Sequence, residues 1–301
     1  MLKEIEIELP EILPNEVLIR NMAISINPVD VRTRAGSAMA SFLENQMPLT
    51  LGWDVSGVVE KVGSTVTEFK IGDEVFGLIN FLGHGKGYAE YVVAPSNHLA
   101  FKPTNITHPE SASACLAAVT AWQLLHNYAK IGKKTKILVN AASGGVGHYA
   151  VQIAKQFGSI VTGTSSLKNR EFVLSIGADF HIAHDTESMD GIFDEFDIIL
   201  DAFVGKSIDD SIRMIKPGGK ILSLLPMVTE EQRAAAAQKG ALIHYELVSS
   251  NEADMQEIAA LLACGHLVSH IYKVFPFSEM QAAHIELEKG KTVGKIALSF
   301  P

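Results

Sequence analysis

A strand, a glycine turn and a helix follow one another directly between residues 136 and 157, and this succession constrains the fold more than any other feature. Residues 136–140 form an apolar run that is typical of a fully buried parallel strand. Residues 146–157 carry apolar side chains at helical spacing. The glycine turn lets the backbone approach a pyrophosphate, and the helix N-terminus offers N–H groups and a partial positive charge. The segment therefore predicts a dinucleotide-binding α/β domain.

The turn itself matches the G-x-G-x-x-G spacing, with an alanine in place of the first glycine. The alternative is an ordinary glycine-rich turn, but the strand before it and the helix after it favour the dinucleotide interpretation. The residues predicted to contact the cofactor in this turn are Ala142, Ser143, Gly144, Gly145, Val146 and Gly147.

The end of the next predicted strand indicates which dinucleotide is bound. An NAD enzyme places an acidic residue there, which accepts a hydrogen bond from the ribose 2′-hydroxyl. This chain has hydroxyl side chains at that place, followed by Lys168 and Arg170. Hydroxyls and cations suit a 2′-phosphate, which favours NADPH. The alternative is that the two cations are solvated residues at the start of a helix. The predicted cofactor-binding residues here are Thr164, Ser165, Ser166 and Lys168.

Strand and helix patterns alternate from residue 108 to residue 250, which predicts a parallel, doubly wound sheet. Residues 1–107 are instead rich in short strands and turns, and residues 251–301 contain two helical segments and a last strand. The changes of pattern near residues 107 and 250 therefore set the limits of a predicted Rossmann domain of residues 108–250. Residues 1–6 alternate apolar and acidic side chains, which predicts a strand and not a signal peptide.

The charge and the cysteines limit the partners and the compartment. The chain of 301 residues has a formal net charge of −9, which argues against binding to nucleic acid or to an anionic membrane, because both demand a basic face. Its most apolar stretch, residues 114–125, is shorter than the ~20 residues of a membrane span. Cys115 and Cys264 are far apart and predict no disulfide framework, so we expect a reducing, cytoplasmic setting.

Several further motifs occur in order along nearly the whole chain. They are Ser-Ile-Asn-Pro-Val-Asp at 25–30, Leu-Gly-Trp-Asp-Val-Ser-Gly at 51–57, Gly-Asp-Glu-Val-Phe-Gly at 72–77, Gly-Tyr-Ala-Glu-Tyr at 87–91 and Gly-Lys-Thr-Val-Gly-Lys at 290–295. With the glycine turn, these motifs resemble the medium-chain dehydrogenase/reductases, and in particular the zinc-free quinone oxidoreductases of the zeta-crystallin type. The resemblance implies an α/β fold with a partly open β-barrel-like (GroES-like) catalytic domain. This domain would consist of residues 1–107 and 251–301, with the doubly wound Rossmann domain inserted between them.

The resemblance also bears on metal binding. Zinc-dependent members place a cysteine where this chain has Asn27, and a histidine where it has Trp53. A catalytic zinc needs three protein ligands, and an amide with an indole cannot replace a thiolate with an imidazole. His266 and His270 are spaced as a ligand pair on a helix would be, but without an acidic partner we interpret them as surface residues. We therefore expect no metal.

Three residues are candidates for the catalytic site: Asn27, Trp53 and Arg32. Asn27 stands where the family faces the nicotinamide and substrate, so its amide would hydrogen-bond a carbonyl or ribose oxygen, or else it only caps the following helix. Trp53 replaces a metal ligand and either packs in the core or forms a wall of the substrate pocket. Arg32 stands where many quinone and enone reductases of the family have a tyrosine, and is either solvated or binds an anionic group.

Together these features predict an NADPH-dependent reductase of quinones or related conjugated carbonyls that acts by hydride transfer without a metal. The alternatives are a reductase of enoyl thioesters or alkenals on the same scaffold, and a redox-silent NADPH-binding regulatory protein. The expected partners are a small-molecule quinone or enone and a second copy of the chain, since the family resemblance implies a homodimer that pairs Rossmann edge strands near residues 243–249.

Overall fold

The computed structural model describes residues 2–43 and 49–301. The chain forms two compact units. The discontinuous unit consists of Met1–Val119 and Val248–Pro301, and the inserted unit is Thr120–Leu247. The domain limits expected from the sequence, after residues 107 and 250, stay predictions. In the described part of the chain, no helix is both long enough and apolar enough to cross a bilayer.

The strands and helices follow the predicted order, with some additional strands. In chain order the strands are β1 (Glu16–Ile26), β2 (Asp54–Val62), β3 (Glu74–Leu78), β4 (Tyr91–Pro95), β5 (Leu99–Phe101), β6 (Lys136–Val139), β7 (Ile160–Ser165), β8 (Phe180–Ala183), β9 (Phe196–Asp201), β10 (Ile215–Ser223), β11 (Leu242–Tyr245), β12 (Ile271–Pro276) and β13 (Lys295–Ser299). The helices are α1 (Pro28–Arg34), α2 (Ala40–Leu43), α3 (His108–Trp122), α4 (Gly147–Gln156), α5 (Arg170–Ser175), α6 (Lys206–Met214), α7 (Glu230–Gln238), α8 (Glu252–Ala263) and α9 (Met280–Glu288). A π-helical segment, Gln123–Tyr128, continues α3.

The sheet of the discontinuous unit is organised around the long strand β1. Its order is β12-β13-β1-β2-β3-β5, and β4 also pairs with β1. The first half of β1 pairs with β4 and its second half with β13, while β2 lies against both halves. Apolar side chains such as Ile24, Val55 and Ile296 are fully buried on the inner face. Over the described residues the sheet does not close into a complete barrel, and this agrees with the prediction of a partly open, barrel-like domain.

The sheet of the inserted unit has six strands in the order β11-β10-β9-β6-β7-β8, and all neighbours are parallel. Numbered from β6, this is the order 6-5-4-1-2-3 of a doubly wound dinucleotide-binding sheet. The central strands are continuous apolar runs, because helices cover both faces of such a sheet. The predicted Rossmann domain is confirmed, and the carboxyl ends of β6 and β7 carry the glycine turn and the hydroxyl side chains after it.

Some elements at the edges of the sheets differ from those predicted from the sequence. Residues 2–6 form no strand, and Ile5 is more than half exposed, because the alternating segment has no strand partner among the described residues. Residues 217–219, a Pro-Gly-Gly sequence typical of a turn, lie inside β10 and interrupt its pairing with β9. The unpredicted strand β12 exposes most of its side chains, so its sequence carries little apolar alternation.

Candidate cofactor and active site

The glycine turn between β6 and α4 is tight enough to bring a helix N-terminus close to the strand. The N–H of Gly144 donates to the carbonyl oxygen of Ala141 at 2.8 Å, and Ala141 takes a positive φ of 53°. A Cβ atom at Gly147 would lie only 2.1 Å from that same carbonyl oxygen. Only glycine fits at residue 147, and the N-terminus of α4, where the helix dipole favours an anion, therefore lies directly beside the end of β6. This cradle fits a pyrophosphate.

Hydrogen bonds connect the glycine turn to the end of β7. The amide of Asn169 donates to Oγ of Ser143 at 3.1 Å and to Oγ of Ser166 at 3.3 Å. The N–H of Ala142 donates to the carbonyl oxygen of Thr164 at 2.8 Å. The structure thus brings together the two groups of residues that the sequence predicted to bind the cofactor, and Gly145 and Val146 lie in the same turn as Ser143.

The end of β7 differs from the expectation in how its cations are used. Lys168 is exposed, whereas Arg170 is paired with Glu187 and donates to His181. Ser165 is buried, and its Oγ lies 2.7 Å from Nε2 of His181. His181 is not among the residues that the sequence predicted to bind the cofactor. Of the two cations, Arg170 is thus engaged by Glu187 and His181, and Lys168 is the more exposed.

A buried polar cluster lies in the discontinuous unit, formed by Asn27, Asp54 and Lys295. The amide nitrogen of Asn27 donates to Oδ2 of Asp54 at 2.7 Å. The ammonium group of Lys295 donates to Oδ1 of Asn27 and lies 3.8 Å from Oδ2 of Asp54. The N–H of Leu116 donates to the other carboxylate oxygen of Asp54 at 2.8 Å. The Asn27 amide is therefore fixed at both ends, in addition to its place at the start of α1.

Burial controls the charges in this cluster. Burial raises the pKa of Asp54 to about 6, against the lowering effect of Lys295 and Asn27. Burial also lowers the pKa of Lys295, against the opposing effect of Asp54. Asp30 accepts the N–H of Asn27 at 2.7 Å, and its own burial raises its pKa to about 7. One buried cation thus faces two buried carboxyl groups.

A second chain of polar groups leads from this region to the surface of the same unit. Oη of Tyr88 lies 3.0 Å from Nε2 of His284, and Nδ1 of His284 lies 3.2 Å from Arg34. Arg34 also pairs with Glu288 at 2.5 Å. Burial lowers the pKa of His284 to about 4, so the ring is neutral at neutral pH. Since Arg34 only donates, the imidazole hydrogen is on Nε2 and is donated to Tyr88. The sequence analysis missed these residues, although Tyr88 stands in a quoted motif.

The other two predicted catalytic residues lie in different surroundings. Trp53 is fully buried, donates from Nε1 to the carbonyl oxygen of Gly83 at 2.8 Å, and packs edge-to-face on Phe81 with ring centroids 5.3 Å apart. Core packing, the first alternative for Trp53, accounts for these contacts. Arg32 is exposed on α1, so the structure does not bring it into the buried cluster with Asn27.

The residues at the expected zinc position do not fit a zinc ion. No group of three or more histidine, cysteine, aspartate or glutamate side chains among residues 2–43 and 49–301 is arranged to hold a metal. The carboxylate of Asp54 already faces the ammonium group of Lys295, a fixed cation in that position. His266 and His270 are exposed and lie outside any helix. We therefore derive no step of the reaction through a metal.

Known proteins match both units. A family model described as "Alcohol dehydrogenase GroES-like domain" matches residues 13–104, and one described as "Zinc-binding dehydrogenase" matches residues 176–298. The chloroplast envelope quinone oxidoreductase homolog of Arabidopsis thaliana is 33% identical over 98% of this chain and 93% of its own length. The chain belongs to the medium-chain dehydrogenase/reductase superfamily. Within this superfamily it falls in the zinc-independent quinone oxidoreductase branch, as the sequence motifs predicted.

Two more superfamily members show how far the likeness extends. The NADPH-dependent alkenal/one oxidoreductase of Arabidopsis thaliana is 33% identical over 98% of this chain and 75% of its own length. The solved structure of the quinone oxidoreductase from Coxiella burnetii superposes with a TM-score of 0.92, at 33% identity over 99% of this chain and 94% of that one. The α/β fold with a GroES-like and a Rossmann domain is thereby confirmed. The protein is an NAD(P)H-dependent oxidoreductase that acts on small molecules.

Proposed function

We propose that this protein is an NADPH-dependent reductase of quinones or related conjugated carbonyls that acts by hydride transfer without a metal. The observation that carries the proposal is that the side chain of Asn27 donates to Asp54 and accepts from Lys295. Asn27 stands in the position where zinc-dependent members of the superfamily bind their metal. A reaction without a Lewis acid is best suited to an acceptor whose reduced form is a stable anion. Quinones meet this condition.

The inserted unit supplies the groups that would hold the cofactor. The turn from Ala142 to Gly147 would bind the pyrophosphate, and Ser165, Ser166 and Lys168 would bind the 2′-phosphate. When bound, the nicotinamide supplies the hydride, and the protein provides position and electrostatics.

The acceptor preference follows from the hydrogen-bond donors that the chain offers. Reduction of an enone needs a donor poised at the carbonyl oxygen and a proton for carbon. Arg32 replaces the family tyrosine, and it is exposed on α1, outside the buried cluster that contains Asn27. A quinone is less demanding, because its hydroquinone oxygen has a phenolic pKa of roughly 10, and water protonates it after release. The protein then needs only to position a flat ring, which can supply several kcal/mol of barrier reduction.

Asn27 is the residue we propose to contact the acceptor. Its amide carries two hydrogens, of which Asp54 accepts one, and the second can be donated to a carbonyl oxygen. Lys295 fixes the orientation of the amide by donating to its oxygen. In this role Asn27 is neutral, so the site holds no additional charge when the substrate enters.

The second candidate function is reduction of alkenals or enoyl thioesters, which the name of the alkenal/one relative favours. The third is redox-silent binding of NADPH. A panel of benzoquinones, naphthoquinones, alkenals and enoyl thioesters, with NADPH oxidation as the readout, separates the three. We expect the highest kcat/KM for a quinone. A higher value for an alkenal or an enoyl thioester supports the second candidate, and tight NADPH binding with no turnover of any acceptor supports the third.

We further propose a homodimer in a reducing cytoplasm. Strand β11 ends the Rossmann sheet, and Leu242 on it is more than half exposed, which suits pairing with a second copy. Cys115 and Cys264 are both free thiols, as in a reducing compartment. Light scattering during size-exclusion chromatography should give twice the chain mass, and Leu242→Lys should shift the protein toward the monomer. A monomeric wild-type protein contradicts the dimer.

A further inference from the structure

Ser165, the last residue of β7, is held by a short series of hydrogen bonds along the neighbouring strand β8. Its Oγ lies 2.7 Å from Nε2 of His181, and Nδ1 of His181 lies 3.2 Å from Nε of Arg170. The guanidinium group of Arg170 also pairs with Glu187. Glu187 is fixed in turn, because its other oxygen accepts the N–H of Ala183 at 2.8 Å. The imidazole is therefore held from both sides.

The chemistry of these groups determines the direction of each hydrogen bond. The N–H groups of Arg170 can only donate, so Nδ1 of His181 is an acceptor. Burial and the charge of Arg170 lower the pKa of His181, which keeps the imidazole neutral at neutral pH. A neutral imidazole has one N–H, which must then be on Nε2 and is donated to Oγ of Ser165.

Ser165 consequently accepts a hydrogen bond from the protein and keeps its own hydroxyl hydrogen to donate. In the structure this hydrogen reaches the carbonyl oxygen of Ser166, at the long distance of 3.2 Å. A better acceptor close to Ser165 would displace that bond. Phosphate oxygens are such acceptors, because bonds to a charged acceptor are shorter and about twice as strong as neutral ones.

We propose that His181 is a positioning residue that makes Ser165 a hydrogen-bond donor to the 2′-phosphate, and so increases the preference of this protein for NADPH over NADH. The inference rests on the proposed use of NADPH. The 2′-hydroxyl of NADH is bound best by an acceptor such as a carboxylate, so a hydroxyl held as a donor favours the phosphate. Without His181 the hydroxyl of Ser165 is free to rotate, and it can then accept a hydrogen bond from the 2′-hydroxyl of NADH. The preference for NADPH over NADH therefore weakens.

The matched variants are His181→Phe, which keeps a ring but loses both nitrogens, and His181→Gln. The glutamine amide can accept from Arg170 through its oxygen and donate to Ser165 through its nitrogen, so it should preserve the arrangement. Ser165→Ala removes the hydroxyl itself. If His181 acts through Ser165, the double variant His181→Phe/Ser165→Ala should lose no more selectivity than Ser165→Ala alone.

The test is calorimetric binding of adenosine 2′,5′-bisphosphate and of AMP to the full chain, with both ligands titrated into each variant. We expect wild type to bind the bisphosphate at least about tenfold more tightly than AMP. His181→Phe should reduce this ratio by about three- to tenfold, with AMP affinity within about twofold of wild type, and His181→Gln should retain the ratio. Ring ¹⁵N chemical shifts of the wild-type protein should show His181 protonated on Nε2 alone.

The outcomes separate the inference from the proposed function. If wild type binds both ligands equally, the NADPH proposal fails. If wild type prefers the bisphosphate but His181→Phe keeps the ratio, or weakens both ligands equally, only the role of His181 is wrong. An imidazole hydrogen on Nδ1 overturns the inference without any variant.

Discussion

At the scale of single residues, the notable feature is that several ionisable groups are buried and matched to specific partners. Asp54 and Lys295 lie inside the discontinuous unit, with Asn27 hydrogen-bonded to both. A buried ion pair is weak evidence for stability, because desolvation offsets much of the attraction. Its contribution here is the orientation of the Asn27 amide, which would otherwise rotate between two similar positions. Lys168 in the inserted unit is exposed instead, which suits a proposed contact with a ligand.

Lys168 provides the first prediction at this scale. Lys168→Ala should weaken NADPH binding about three- to tenfold and leave NADH binding within about twofold, because only NADPH has a phosphate for the ammonium group to contact. Fluorescence titration of both cofactors measures this, with Lys133→Ala as a control, since Lys133 is an exposed lysine of the same unit. Equal weakening of both cofactors would exclude Lys168 as a phosphate ligand.

Asp30 provides the second prediction at the scale of single residues. Its pKa is about 7 in the folded protein against 3.8 ordinarily, so between these values the folded state binds more protons than the unfolded state. The free energy of unfolding therefore falls as pH rises through this window. Asp30→Asn cannot ionise and keeps an acceptor for the N–H of Asn27. As the pH rises from 5 to 8, the free energy of unfolding of the variant should increase by about 1–3 kcal/mol relative to that of wild type.

Urea titrations at the two pH values measure this gain. Asp73→Asn is the control, because hydrogen bonds from Lys70 lower the pKa of Asp73. Its carboxylate is therefore ionised in the folded and the unfolded protein at both pH values, and the difference between Asp73→Asn and wild type should be the same at each. The account of the buried cluster is wrong if the stability difference between Asp30→Asn and wild type is the same at both pH values.

At the scale of elements, the glycine turn between β6 and α4 depends on one position more than on the others. A Cβ atom at Gly147 would lie 2.1 Å from the carbonyl oxygen of Ala141, whereas one at Gly191 would meet open space. The backbone of the turn must therefore move to accommodate Gly147→Ala, and the N–H groups at the start of α4 move with it.

We accordingly expect Gly147→Ala to weaken NADPH binding by more than about tenfold, as loss of more than one hydrogen bond to a charged group would. Gly191→Ala should bind as wild type does. Fluorescence titration gives both affinities, and circular dichroism shows whether each variant is folded. Wild-type affinity in a folded Gly147→Ala protein would mean that this turn does not bind the pyrophosphate.

The elements also show which parts of the molecule could be predicted from the sequence. The succession from β6 to α4 was predicted because a buried strand, a glycine turn and an amphipathic helix each leave a local pattern. The edge strands β5 and β12 leave little pattern, and residues 2–6 have the pattern without a partner strand. The cluster of Asn27 with Lys295 could not be derived from spacing, since the two residues are 268 positions apart and meet only through the pairing of β1 with β13. The contact of His181 with Ser165 likewise depends on the register of β7 and β8.

At the scale of the whole molecule, the proposed function gives the two units separate chemical roles. The inserted unit would bind the cofactor phosphates through its glycine turn and hydroxyl side chains, and the discontinuous unit would contribute the Asn27 amide, which Asp54 and Lys295 hold in one orientation. Membership of the medium-chain superfamily accounts for the NAD(P)H-dependent oxidoreductase activity. The departure at Asn27 and Trp53 from the zinc-ligand pattern is what separates this chain from the zinc-dependent members.

The central claim is that the protein reduces a quinone with NADPH and needs no metal. The most direct measurement is the steady-state rate of NADPH oxidation with a naphthoquinone, before and after exhaustive chelation, with the zinc content of each sample determined by elemental mass spectrometry. We predict unchanged kcat and KM in protein that holds far less than one zinc per chain. Quinone turnover that disappears on chelation and returns only with stoichiometric zinc would contradict the account.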